Sequence, residues 1–371
     1  MIFKNKVILV TGGTGSLGRS LVQRILTGEL GMPKKLTVFS RDEDKQYQMR
    51  LEWKGLASAT DDVVYRNSEG ILSFCIGDIR DYEAIARCVS ESDIVIHAAA
   101  LKQAPVCEYF PYESVKTNIL GAQNIIRAAG ECQGRVETVL AVSTDKACKP
   151  INTYGMCKAI QEKLVIEANL RYPGTKFICT RYGNVAGSRG SAIPLFRQQI
   201  DSGGPLTITR KEMTRFLLTI DTAVDTIFDA VRFSEAADIY VPALRSTGIM
   251  DLAEVMIEER EIDIEFIGMR PGEKIHETLI SEEEISRTFK RGDYYIVRPT
   301  LPEIRGHEMG EPVLMQELSS ADWKLTKSEL KDFLEVVCPS LPGIWVQDSR
   351  DVKLSRRLPS ARFAFHASVK K

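Results

Sequence analysis

"KVILVTGGTGSLG" (6–18) begins with an apolar run and then carries glycine at every third position, Gly12, Gly15 and Gly18. The run has no polar alternation, so both faces of the segment must be buried, as in a central strand of a parallel sheet covered by helices. Glycine at the end of such a strand has a physical purpose. Gly12 permits a tight turn, Gly15 lets the backbone approach a pyrophosphate, and Gly18 lets the next helix pack closely on the sheet. The segment "GSLGRSLVQRILTG" (15–28) has the pattern of that helix, whose first N–H groups would point at phosphate oxygens. A strand, this glycine spacing and a helix in direct succession predict a dinucleotide-binding turn, with Thr14, Ser16 and Leu17 also facing the cofactor.

The same alternation continues outward. "KLTVFSR" (35–41), "ILSFCIGD" (71–78), "DIVIHAAA" (93–100), "VETVLAVST" (136–144) and "KFICTRYGN" (176–184) read as further short, buried strands. Amphipathic stretches such as "EAIARCVS", "AQNIIRAAGE" and "YGMCKAIQEKLVIEANLR" fill the gaps. Repeated βα order predicts an α/β fold, a Rossmann-like doubly wound parallel sheet. After about residue 186 the composition changes to Gly- and Pro-containing turns and short elements. The expected division is a dinucleotide-binding domain over 1–185 and a smaller C-terminal substrate lobe over 186–346, with room for some segments of the lobe to return to the first domain. A basic tail over 347–371 completes the chain. "RGDYYIVRP" (291–299) reads as a strand, either an arm onto a neighbour or a closing piece of the lobe.

The 371 residues carry 49 basic and 50 acidic side chains, a net charge of −1, which argues against a nucleic-acid partner. No apolar run reaches the roughly 18 residues that a membrane span needs, and the N-terminus has no signal-peptide core. A soluble, cytoplasmic protein is expected. The eight cysteines form no C-x-x-C pair and lie mostly in apolar stretches, as reduced, buried thiols do. Cys148 and Cys157 flank Tyr154, but no histidine lies near them in sequence to activate a nucleophile. His97, His276, His307 and His366 show no metal-ligand spacing with the cysteines, so no metal is expected.

The end of the second strand chooses between the two nicotinamide dinucleotides. An NAD site places an acid there for the ribose 2′-OH. This chain has Ser40 and Arg41, with Lys45 one turn later, a set suited to a 2′-phosphate. NADP is therefore expected over NAD, although Asp42 and Glu43 follow directly. In "GDIRD" (77–81), Asp78 suits the adenine amino group and Ile79 its ring, while Asp81 reads equally well as a helix cap. Small Ala98, Ala99 and Ala100 leave room for ribose and nicotinamide, with Lys102 just beyond and Asn118 placed to brace this backbone.

"STDKACKPINTYGMCK" (143–158) carries the chemistry. Tyr154 and Lys158 stand four residues apart, on one face of a helix. There the lysine can favour the phenolate and hold a ribose while Tyr154 takes a hydroxyl proton, assisted by Thr144. Asp145 and Lys146 add a second acid–base pair. Oxidation of a hexose at C4 acidifies the C5 proton. Lys146 suits the base that removes it, provided its pKa is depressed, and Asp145 the acid that protonates the departing C6 hydroxyl.

These motifs, with "FSRDEDKQ", "HAAALKQAP", "RYGNVAGSRGS", "MTRF" and "RPGEKIHE", resemble extended short-chain dehydrogenases of the nucleotide-sugar class. The chain looks most like the soluble UDP-N-acetylglucosamine 4,6-dehydratases of the polysaccharide biosynthesis family. The resemblance runs from residue 7 to about 280 and implies the roles just reasoned for Asp145, Lys146 and Tyr154. It also implies Asn184 near the sugar phosphates, Val185 by the cofactor, Arg189 as a phosphate partner, and Arg215, Arg270 and Glu273 as a UDP clamp. Relatives form dimers and larger rings, so a homo-oligomer built on the helices after the fourth and fifth strands is expected. A 4-epimerase would share the cofactor site and Tyr154 without needing the Asp145–Lys146 pair. A non-catalytic NADP-binding sensor would need none of these groups.

Overall fold

The computed structural model describes residues 1–55, 70–188, 190–305 and 313–337. Arg189, His307, His366, Cys338 and the basic tail, all singled out above, lie outside the described residues.

A sheet of nine strands runs through the described residues. Its first six strands in chain order are β1 (Val7–Thr11), β2 (Lys35–Ser40), β3 (Leu72–Ile76), β4 (Ile94–His97), β5 (Thr138–Val142) and β6 (Lys176–Thr180). They are parallel and ordered β6-β5-β4-β1-β2-β3, the doubly wound arrangement expected from the sequence. The order reverses between β1 and β4, and the crevice at such a point is where these folds bind ligands. Strand side chains alternate between faces. Leu9, Val95 and Val139 accordingly enter one core cluster, and Ile8, Val10, Ile94, Ile96 and Leu140 enter another on the opposite face. This double burial is why the strands read as unbroken apolar runs.

Beyond β6, strand Ile239–Pro242 joins the sheet parallel to β6, and Tyr294–Val297 pairs antiparallel with it and with Thr288–Arg291. The segment "RGDYYIVRP" is therefore an integral part of the large sheet, a correction to both placements the sequence suggested. Its reason is two-sided apolarity: Tyr295 and Val297 pack into the first cluster and Ile296 into the second. A third cluster, with Ile193, Phe196, Leu206, Leu252 and Leu330, forms a separate small core. Two short sheets contribute to it, Ser246–Gly248 with Thr214–Leu218 and Asn184–Val185, and Ile264–Phe266 with Leu206–Ile208; a third, Thr278–Ile280 with Leu318–Ser319, packs Leu279, Ile280 and Leu318 into the first cluster instead.

The helix Thr153–Arg171 starts at Asn152, whose side chain accepts the Gly155 N–H at 2.7 Å. The same amide donates to the Gly272 carbonyl at 2.6 Å. One asparagine thus caps this helix and ties it to the "RPGEK" turn.

Candidate active site

A cleft of about 650 Å³ opens at the carboxyl ends of the strands, lined by residues of the large sheet and of the small-core region. Gly12 has φ +69°, and a Cβ there would lie 2.7 Å from the Ala99 nitrogen. A Cβ on Gly18 would collide with the Gly12 carbonyl. The helix Ser16–Leu26 begins at Gly15 without a side-chain cap, which leaves its first N–H groups for an anion. Gly12, Thr14, Gly15, Ser16, Leu17 and Gly18 all line the cleft. So do Ser40, Arg41, Lys45, Asp78, Ile79, Ala98, Ala99, Ala100 and Lys102.

The polar groups at the end of β2 are already engaged. Ser40 Oγ accepts from Gln46 at 3.0 Å, and Lys45 pairs with Asp42, the cap of its own helix. Arg41 lies 3.5 Å from Asp78, which Arg80 also holds at 2.6 Å. Burial raises the Asp78 carboxyl, but the hydrogen bonds of Arg80 and the charge of Arg41 bring it below the ordinary range. Asp81 caps the helix Tyr82–Ser90 by accepting from Glu83 and Ala84. Burial lowers the Lys102 ammonium.

Thr144, Lys146, Tyr154 and Lys158 meet in the cleft; Asp145 lies fully buried behind its wall. Thr144 caps the single turn Asp145–Ala147 and donates to Asp145 Oδ1 at 2.9 Å. That turn presents Lys146, whose Nζ reaches Asp145 Oδ1 at 3.0 Å, Glu277 Oε1 at 3.2 Å and Asn184 Oδ1 at 3.4 Å. Burial pulls the Lys146 ammonium down. The carboxylates of Asp145 and Glu277 outweigh it and hold the group above the ordinary lysine range. The sequence argument asked for the opposite shift; the charge of Asp145, joined by that of the buried Glu277, which it did not count, is the reason.

The Tyr154–Lys158 pair also differs from expectation. Lys158 donates to Gln161 at 2.8 Å, and burial takes it down to about 8. Tyr154 is pushed up to about 12 by burial, with Asp145 adding to the rise. The cation opposing that rise is Lys146, together with a hydrogen bond from Thr144. Helical spacing puts Lys158 on the face of Tyr154, but Gln161, one turn on, captures its ammonium.

Asn118 stands in a widened π turn, Val115–Leu120, and lies outside the cleft lining. It accepts the Leu101 N–H at 2.9 Å and donates to the Leu101 carbonyl at 2.8 Å, bracing the loop after β4. Val185, Arg215, Arg270 and Glu273 line the cleft. The Arg215 guanidinium donates to the Thr214 carbonyl at 2.7 Å and the Ile275 carbonyl at 3.1 Å. Glu273 accepts from the Arg270 backbone at 3.3 Å. Asn184 faces Lys146, at the acid–base cluster. Cys148 and Cys157 are buried, and burial raises both thiols, Cys148 to about 12. Neither is a nucleophile in form. Among the described residues no group of side chains could hold a metal ion.

Glu277 is the residue the sequence reading passed over. It closes the quoted motif "RPGEKIHE", and its only sequence signal was being the second acid of that motif, after Glu273.

Comparison with known proteins bears on this arrangement. The family model described as polysaccharide biosynthesis protein matches residues 8–299. A UDP-glucose 4-epimerase of Rickettsia conorii is 42% identical over 299 residues, 79% of this chain and 83% of that one. An uncharacterized membrane protein of Methanocaldococcus jannaschii is 42% identical over 309 residues, 80% and 87% of the two chains. In the present chain no described helix is long and apolar enough to cross a membrane. Among solved structures, Pen from Bacillus thuringiensis superposes with a TM-score of 0.80 at 34% identity, covering 90% of this chain and 98% of that one. The chain belongs to the polysaccharide biosynthesis protein family, within the nucleotide-sugar class of extended short-chain dehydrogenases/reductases.

Proposed function

We propose that the chain carries out the NADP-dependent 4,6-dehydration of UDP-N-acetylglucosamine to a UDP-4-keto-6-deoxy-N-acetylhexosamine, for surface-glycan sugar biosynthesis. The observation that carries this reading is the Asp145–Lys146–Glu277 cluster beside Tyr154. A dehydrogenase or epimerase needs one proton-transfer group; this cleft holds a second system. The uncapped helix start and the glycine cradle fit a dinucleotide pyrophosphate, and Ser40, Arg41 and Lys45 would meet a 2′-phosphate. When bound, the dinucleotide accepts hydride from sugar C4 and later returns it to C6. Tyr154 takes the C4 hydroxyl proton, with Thr144 holding the same oxygen. Lys146 removes the C5 proton, and Asp145, taking a proton from the resulting ammonium across their 3.0 Å contact, passes it to the leaving C6 hydroxyl. Arg215, Arg270 and Glu273, in the lobe proposed over 186–346, hold the UDP moiety, and Lys102 closes the sugar side. Exposed Tyr109, Tyr112 and Ile160, on the helices after β4 and β5, with Phe110 between the first two, support a homo-oligomer.

A second reading is favoured by the 42% identity to a protein named UDP-glucose 4-epimerase. A proton NMR time course with UDP-N-acetylglucosamine separates the two. A C6 methyl doublet is the expected result. UDP-N-acetylgalactosamine without a methyl signal would establish epimerisation instead, and an unchanged spectrum with bound dinucleotide would leave a sensor. Nucleotide released from the same preparation by mild denaturation is expected to be mostly NADP; a predominance of NAD would overturn that part.

A further inference from the structure

We propose that Glu277 is the proton-relay partner of Lys146, taking the ammonium proton across the Nζ–Oε1 contact so that the amine is free to act at sugar C5. The inference rests on the dehydration reading and names a positioning residue that the motif comparison leaves without a role.

Three observations carry it. Glu277 is 2% exposed yet lines the cleft. A buried carboxylate costs several kcal/mol unless it is well compensated, so one kept at a cleft wall calls for a function. Its side chain is only half engaged: Oε1 is 3.2 Å from Lys146, while Oε2 has no hydrogen-bond partner among the described residues and meets only Lys274, at 3.7 Å. Its backbone is clamped on both sides. The Glu277 N–H donates to Ser320 Oγ at 2.9 Å, and its carbonyl accepts the Ser320 N–H at 2.8 Å. The held backbone keeps Oε1 at Lys146 Nζ, with Lys274 as the only other cation near the carboxylate among the described residues.

The chemistry requires such a group. Lys146 is faced by Asp145, Glu277, Tyr154 and Arg215; the charges of Asp145 and Glu277 keep it protonated at rest against burial and the repulsion of Arg215. A charged lysine cannot accept a proton. In the proposed step one N–H bond of Lys146 breaks, an O–H bond forms on Glu277, and the electron pair stays on nitrogen. That pair then bonds the C5 hydrogen, while the C5–H electrons pass into the C4 ketone as an enolate. The pair goes from oppositely charged to neutral, a change that becomes easier as substrate displaces water from the cleft.

Glu277→Gln keeps the shape and removes the acceptor. In single turnovers with UDP-N-acetylglucosamine, this variant is expected to oxidise C4 and accumulate reduced dinucleotide, while elimination falls about 100-fold at neutral pH. Elimination should recover as pH rises, because the Lys146 proton must now leave to solvent. Independently of turnover, NMR titration of the Lys146 Cε signal should move to lower pH in the variant. Glu277→Asp, which keeps the charge but withdraws it by one methylene, should eliminate at an intermediate rate; if the glutamine variant does not fold, this comparison decides. A merely structural residue would slow oxidation and elimination together and leave no pH slope. Elimination by Glu277→Gln at the wild-type rate and pH profile overturns the proposal alone. Absence of a methyl signal from the wild-type protein removes the dehydration reading, and this proposal with it.

Discussion

Lys146→Ala is expected to abolish dehydration while leaving the dinucleotide bound. The Lys146 ammonium is held by two buried carboxylates, Asp145 at 3.0 Å and Glu277 at 3.2 Å, and in the proposed reaction it is the group that handles the C5 proton. Loss of a positioned acid–base group slows a proton transfer by roughly 10²- to 10⁴-fold. The effect should sit near the top of that range, because Asp145 and Glu277 lose their shared cation and no other described ammonium lies within ion-pair distance of Asp145. Among the described residues, none of the hydrogen bonds or ion pairs of the Lys146 side chain involves the glycine turn or the helix Ser16–Leu26, so cofactor content should stay at the wild-type level. Lys146→Arg should not rescue, since a guanidinium stays protonated throughout the working range. The methyl signal and the nucleotide content, measured on one preparation, check both halves. Full dehydration by Lys146→Ala would remove the base assignment.

Arg181→Met should destabilise the protein by about 3–5 kcal/mol, the usual cost of breaking a buried ion pair from one side. Arg181 is buried and donates to Glu162 at 2.6 Å and 3.0 Å, to Glu284 at 2.7 Å and 3.0 Å, and to the Leu279 carbonyl at 2.9 Å. Glu162 also accepts from Ser143 at 2.6 Å, directly before Thr144. The guanidinium thus joins the helix Thr153–Arg171, the end of β5 and the helix Glu282–Ile285. Without it two carboxylates are left buried with too little charge compensation. Equilibrium denaturant unfolding measures the loss, and a change below about 1 kcal/mol would show that the network contributes little. The network also predicts an acid response. Burial raises the Glu284 carboxyl, but the charge and hydrogen bonds of Arg181, with Arg287 beyond, take it down to about 2 from an ordinary 4.5. A carboxyl depressed in the folded state stabilises fully above its ordinary value, and that contribution disappears as pH falls from about 4.5 towards 2. In Arg181→Met acid sensitivity should begin at higher pH.

Much of the site was legible because its signals are local. Gly12 must accept φ +69° and Gly18 must pass close to the Gly12 carbonyl, and both demands appear in sequence as an absent side chain. The segment Tyr294–Val297 was less legible, because "YYIV" fits any buried strand and nothing within it names its partner. Only its pairing with Ile239–Pro242 places it in the large sheet.

The sequence by itself determined the doubly wound sheet, the dinucleotide turn and the presence of Thr144, Asp145, Lys146, Tyr154 and Lys158 near one another, since each depends on spacings within a few turns of chain. The tertiary structure alone decided how tightly Lys146, Tyr154 and Lys158 hold their protons. It brought Glu277 to Lys146 and turned Lys158 to Gln161. A proton's affinity for a side chain depends on burial and on every charge within a few ångströms, and those charges arrive from segments that only folding brings together.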